Sequence, residues 1–212
     1  MKKIKEILLL IISFSPAIWA LIVYNQLPDT VASHFGANNE PNGWMSKNGM
    51  IIVLVLLGFM PLFLKAVRAI DPKRGNFSKF PVAFEVTRIG VSILLAAAGW
   101  GMLLYNLGYH VQMSKIVLVA IGVLFAVMGN FMTQVKPNYT FGIRTPWTLA
   151  NDEIWRKTHR MGGPLMMLGG VFAFIAAFVT NGTAVIVLIA AMIAMFLVPV
   201  LYSYVLYARM PK

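Results

Sequence analysis

Residues 136–160 read KPNYTFGIRTPWTLANDEIWRKTHR, a polar stretch set between two long apolar segments. It carries five basic residues (Lys136, Arg144, Arg156, Lys157 and Arg160) and two of the chain's five tryptophans, Trp147 and Trp155. A plain connector between two membrane helices needs only a turn and a few polar side chains. Cations and tryptophans beside apolar runs mark the headgroup region of a bilayer, so the stretch is read as lying at a membrane surface.

Composition agrees. Of 212 residues, 59% are hydrophobic and 12% charged, with a mean hydropathy of +0.76. A soluble domain averages about 45–50% apolar and about 25% charged residues, so this chain lacks the polar surface to cover a soluble globule. It is read as an integral membrane protein. Cysteine is absent, which excludes a disulfide framework, a thiol nucleophile and a thiolate metal site.

Six apolar segments are legible, at about 7–24, 49–64, 89–107, 116–135, 165–180 and 184–207. A span needs roughly 20 apolar residues. The second and fifth are short, and Lys65 and Arg68 can snorkel so that the second continues to Ile70. The first resembles a signal peptide with cleavage after Ala20, but Ile18 stands where a small residue is wanted and the apolar run continues. A retained helix kinked at Pro16 is expected. The predicted fold class is all-α: a polytopic membrane helix bundle of about six transmembrane helices, with five spans and one re-entrant segment as the alternative, forming a single membrane domain. Small residues at four-residue spacing (Gly122 and Ala126; Gly169, Ala173 and Ala177; Ala190 and Ala194) offer faces for close packing.

Orientation follows from the basic residues. With the N-terminus inside, sixteen of the eighteen Lys and Arg face the cytoplasm and only Lys47 and Lys115 face out. That asymmetry predicts both termini in the cytoplasm. It also accounts for the net charge of +11 without nucleic acid, because positive inner loops suit an anionic leaflet.

The outer loop at 25–48 has β-rich residues at 31–35 and turn formers at 36–43, so a small hairpin is predicted. His34, Phe35 and Trp44 are its candidate recognition residues. They are equally read as interfacial anchors with His34 capping a turn. The three histidines are scattered without ligand spacing, and no metal site is expected. In the inner loop at 65–88, Asp71-Pro72 favours a turn, and Glu85 and Arg88 are spaced to pair.

The opening stretch has finer grain. Asn138, Tyr139 and Gly142 form a turn after Pro137. Thr145-Pro146 starts a helix, a hydroxyl cap with proline first inside. Asn151 caps a second, short interfacial helix whose first turn holds Asp152 and Glu153. Asp152 with Arg156, and Glu153 with Lys157, are spaced to pair. Trp155 and His159 share a face, and Gly162-Gly163-Pro164 ends the helix. Arg144, held among Gly142, Ile143, Thr145, Pro146 and Trp147, is poised for a bidentate carboxylate or phosphate, either Asp152 or Glu153 internally or a ligand.

Taken together, Gly129-Asn130, Lys136-Pro137-Asn138-Tyr139, the run from Gly142 through Leu149 and the run from Trp155 through Arg160 closely resemble the signature of SdpI-type bacterial immunity proteins. Leu27-Pro28, His34-Phe35, Gly43-Trp44 and Ser46-Lys47 resemble the extracytoplasmic module that often precedes it, with Ala32 where that module commonly has proline. The resemblance implies immunity to a secreted peptide toxin, coupled in some members to a cytoplasmic transcriptional repressor. The candidate ligand- and partner-binding residues are Asn138, Tyr139, Gly142, Arg144, Thr145, Pro146, Trp147, Trp155, Arg156, His159 and Arg160. Expected partners are the lipid bilayer, the toxin and the repressor; neither nucleic acid nor a cofactor is expected.

Two other classes compete. A transporter normally needs polar or charged residues central in its spans, and few are present. A membrane enzyme would use Arg144, Asp152, Glu153 and His159 for acid–base chemistry, but no nucleophile motif, HExxH, phosphate loop or dinucleotide fingerprint is found.

Overall fold

A computed structural model describes residues 2–36, 38–179 and 182–210, with side chains for all of these except 2 and 182–187. Thr180, the expected end of the fifth apolar segment, and Lys212, assigned to the cytoplasmic side, lie outside the described residues. The chain is mostly helical. The order is α1 (Lys2–Ile22), β1 (Thr30–Phe35), β2 (Pro41–Ser46), α2 (Lys47–Gly58), α3 (Met60–Ile70), α4 (Pro81–Asn106), α5 (Met113–Met132), α6 (Pro146–Ala150), α7 (Asp152–Ala176) and α8 (Gly182–Ala208).

Among the described residues, four helices are long and apolar enough to cross a membrane: Lys3–Ile22, Pro81–Asn106, Met113–Met132 and Leu188–Ala208. A fifth is reached if α2 and α3, bent by 46°, form one broken span. The sequence reading carries the second span straight through to Ile70, and the structure breaks it at Phe59. Pro61 has no N–H to donate into the preceding turn, and the Phe14 ring wedges in. A Cβ on Gly58 would lie 2.6 Å from that ring, which stands edge-on to Phe59 at 4.9 Å.

The helix expected to stop at Gly162-Gly163-Pro164 runs on to Ala176 as one 25-residue element. Those glycines serve close packing. A Cβ on Gly162 would meet the Ile143 side chain at 2.4 Å, and one on Gly163 the Gly129 carbonyl at 2.9 Å. Because Asp152, Glu153, Arg156, Lys157 and Arg160 crowd its first half, α7 is not among the helices apolar enough to span.

The chain divides into two compact units. One comprises Met1–Leu64 and Arg88–Ala120. Its core joins Ala17, Ala20, Val31, Met50, Leu54 and Leu103. Arg88, buried, is held by both carboxylate oxygens of Glu6 at 2.6 and 3.1 Å, a partner that local spacing did not reveal. The strands β1 and β2 pair antiparallel, Val31 opposite Met45 and Ala32 opposite Trp44, with irregular register around His34. Asn106 treats β1 as a neighbouring strand would: its side chain accepts from the Ala32 N–H at 2.7 Å and donates to the Ala32 carbonyl at 2.9 Å. Proline at 32 could not make the first of these bonds.

The other unit comprises Lys65–Thr87 and Ile121–Lys212. Its core is aromatic and sulfur-rich: Phe77, Phe80, Phe84, Phe141, Trp155, Met132, Met166 and Met195. Here α5 and α7 meet backbone to backbone. A Cβ on Gly122 would lie 2.6 Å from the Phe174 nitrogen, on Gly129 2.4 Å from the Met167 nitrogen, and on Gly170 2.3 Å from the Ala126 nitrogen. The Gly122–Ala126 face is used, but α7 meets it with Gly163 and Gly170, while Gly169 faces Met195 of α8.

Candidate functional site

The signature stretch folds around two buried polar residues. Asn138 is fully buried, and its amide bonds four ways. It donates to the carbonyls of Lys136 and Phe141 at 2.8 and 2.9 Å and accepts from the N–H groups of Thr140 and Phe141 at 2.9 and 2.6 Å. Such an Asx arrangement replaces a backbone turn with a side chain. The second residue is Asp71, 3% exposed. Its carboxylate accepts from the Tyr139 N–H at 2.9 Å, the Thr140 hydroxyl at 2.6 Å and the Lys73 N–H at 2.7 Å. Asn76 adds a bond to the Pro137 carbonyl at 2.8 Å. The loop before α4 therefore holds the loop before α6, and the sequence reading, which saw in Asp71-Pro72 only a turn, missed it. The usable signal was an acid in an otherwise basic loop.

Both helix starts behave as local chemistry dictates. The Thr145 hydroxyl accepts from the Thr148 N–H, and the Thr148 hydroxyl accepts from the Thr145 N–H, a reciprocal capping box with Pro146 first inside α6. The Asn151 side chain accepts from the N–H groups of Glu153 and Ile154 at 2.8 and 3.0 Å. Trp147 on α6 donates its indole N–H to Ser203 of α8, meets Tyr204 edge-on and stacks with Tyr207. Glu153 and Lys157 pair at 2.9 Å, and that cation holds the exposed carboxyl below its usual range. Asp152 makes no ion pair with Arg156 among the described residues; at the first position of α7 it is exposed and solvated.

Trp155 and His159 are each 1% exposed and stack at 4.2 Å between ring centroids. The Trp155 indole donates to the Val135 carbonyl at 2.9 Å. His159 Nδ1 lies 2.8 Å from the Trp155 carbonyl, and Nε2 accepts from the Ile143 N–H at 3.0 Å. These contacts assign the proton of the neutral ring to Nδ1. Burial pushes the His159 pKa down to about 4, outweighing the bond to the Trp155 carbonyl, which pulls upward. Gly142 makes room for the ring: its φ is +111°, and a Cβ would lie 2.4 Å from Nε2.

The side chains singled out from sequence thus divide. Asn138, Thr145, Trp155 and His159 face inward, with their polar atoms bonded within the protein. Arg144, Pro146, Tyr139, Arg156 and Arg160 are exposed, while Trp147 is half-buried. Asp152, Glu153, Trp155 and Arg156 line a cleft of about 380 Å³ with Lys136 and Pro137. Arg144 instead donates to the Tyr139 carbonyl and lines a different cavity of about 330 Å³ with Gly142 and Ile143. The acids and the arginine do not converge. In the other unit, His34 bonds Asn42 across the hairpin, Phe35 packs edge-on to Tyr105 at 4.8 Å, and Trp44 is 59% exposed.

Residues 134–203 match the model of the SdpI/YfhL protein family, and residues 11–59 match a domain of unknown function, DUF1648. Over 212 aligned residues the chain is 23% identical to the Immunity protein SdpI of Bacillus subtilis (strain 168), covering 99% of this chain and 97% of that protein. No solved structure matches. The resemblance to SdpI-type proteins therefore runs along essentially the whole chain, with the family signature over the connector, α6, α7 and most of α8.

Proposed function

We propose that this protein is a multi-pass membrane immunity protein that protects its own cell from a secreted peptide toxin. The observation that carries the reading is the end-to-end similarity to the immunity protein of Bacillus subtilis. The geometry favours a binding role over acid–base chemistry. The buried histidine is neutral and bonded at both ring nitrogens, and Asp152 and Glu153 line a different cleft from Arg144.

In this reading the chain crosses the membrane six times with both termini inside, α2 and α3 forming one bent span and residues 161–179, from α7 past its end, another. The outer hairpin, with Trp44 and His34 exposed, meets the toxin. The inner connector from Lys136 to Arg160 presents Tyr139, Arg156 and Arg160 to a cytoplasmic repressor. Protection and signalling are separable. Cells with and without the protein are challenged with secretions of neighbouring strains; protection against at least one toxic secretion is expected, and equal killing by every toxic secretion overturns the immunity reading. Signalling is read from transcription of neighbouring genes on toxin exposure, with and without the signature connector. A response that survives loss of the connector defeats the repressor-docking role.

A further inference from the structure

Two features of the second unit meet at one place. The 330 Å³ cavity is walled by Met128, Met132, Met166 and Met195, with Phe196 and Val200 on its α8 side. Phe196 and Val200 are 52% and 37% exposed, and α8 from Leu188 is apolar enough to span a membrane. In the six-span reading proposed above, on which the depth of the cavity rests, those exposed faces meet acyl chains and the α8 wall of the cavity borders lipid. Methionine walls are pliant and accept chains of varied shape.

The depth of the cavity is set by aromatic residues. Trp147, Tyr204 and Tyr207 cluster at the end of α8, the arrangement that marks a membrane–water interface. Phe196, Val200 and Tyr204 lie four residues apart on one stripe of α8, so the cavity wall descends roughly 12 Å from the interface into hydrocarbon, at 1.5 Å per residue. Arg144, three residues before Trp147, lines the same cavity. Its Nη1 donates to the Tyr139 carbonyl, which fixes the guanidinium, and its other N–H groups have no partner among the described residues.

We propose that this cavity is a binding site for one anionic phospholipid, with the headgroup phosphate on the Arg144 fork and an acyl chain in the methionine-lined cavity. Charge complementarity selects the phosphate, and the chain gains what any apolar group gains in a preformed pocket. Cationic sites at the ends of membrane helices hold lipid headgroups by this combination. The site does not depend on whether the protein meets a toxin.

The full-length protein, purified in detergent and stripped of lipid, is titrated with dioleoyl phosphatidylglycerol and followed by native mass spectrometry. One tightly held lipid is expected. Arg144→Ala is expected to weaken binding about tenfold or more, the size of a lost charge-assisted bond, and Arg144→Lys by less. Val200→Trp, which fills the cavity, is expected to block binding with the arginine intact. Each variant is first shown to keep the unfolding midpoint of the parent; Arg144→Lys and Val200→Trp keep the test decisive if Arg144→Ala fails that control. Glycerol 3-phosphate and dioleoylglycerol separate the two halves of the ligand, and neither is expected to match the intact lipid. The proposal is overturned if the parent holds no lipid, if Arg144→Ala (or Arg144→Lys, where the alanine variant fails the control) binds like the parent, if Val200→Trp binds unchanged, or if either half-ligand binds as tightly as the phospholipid.

Discussion

His159 is the residue whose role changes most between sequence and structure. Beside Asp152, Glu153 and Arg144 in the chain, it suggests acid–base chemistry; in the structure it is a buried strut between α7 and the Ile143 backbone. Its folded pKa, about 4, lies below the ordinary value of 6.5. As pH falls through 6.5 the unfolded chain takes up a proton that the folded chain refuses, so stability is lost between pH 6.5 and about 4. The full loss is about 3 kcal/mol at about 1.36 kcal/mol per pH unit. Denaturation midpoints across that window should fall with pH, and His159→Asn should flatten the dependence. Gly142→Ala tests the same contact from the other side. Positive φ and a clash with Nε2 together should cost about 1–3 kcal/mol, read as a lowered unfolding midpoint; an unchanged midpoint would mean that the ring is not held there. Asp71→Asn keeps the shape but discards the charge of an acceptor serving three donors, at a cost of about 1–3 kcal/mol.

At the scale of elements, α7 shows how a local signal is overruled. Two glycines and a proline are helix-stopping residues by propensity, and ending the helix there is what the sequence suggests. The helix continues because Gly163 and Gly170 allow α5 within backbone distance, an approach any side chain would prevent. Gly170→Leu should therefore separate α5 from α7 and abolish accumulation of folded protein, whereas Gly75→Ala, with open space around it, should be silent. Detergent-solubilised yield and chromatographic profile distinguish them; equal yields would sink the backbone contact. The helix starts, by contrast, were legible. Thr145-Pro146 and Asn151 cap through atoms two or three residues away, so nothing distant has to be known.

Over the whole molecule, the absence of cysteine makes the proposed topology open to direct test with single introduced thiols. Asn42→Cys should react with a membrane-impermeant maleimide on intact cells, and Lys136→Cys only after permeabilisation. Labelling of Lys136→Cys from outside would overturn the inward connector and the repressor-facing role that rests on it. What the sequence by itself determined is the membrane class, the apolar segments, the capped helix starts and the SdpI-type signature. Each depends on composition or on residues within a few positions of one another. What only the tertiary structure decided is the clamp of Asp71 on Tyr139 and Thr140, the seat of His159 against Gly142 and Ile143, the bidentate hold of Glu6 on Arg88, and which glycines admit a neighbouring backbone. Those contacts join residues up to 82 positions apart, and a side chain's partner at that range is set by which surfaces pack together, which no local pattern records.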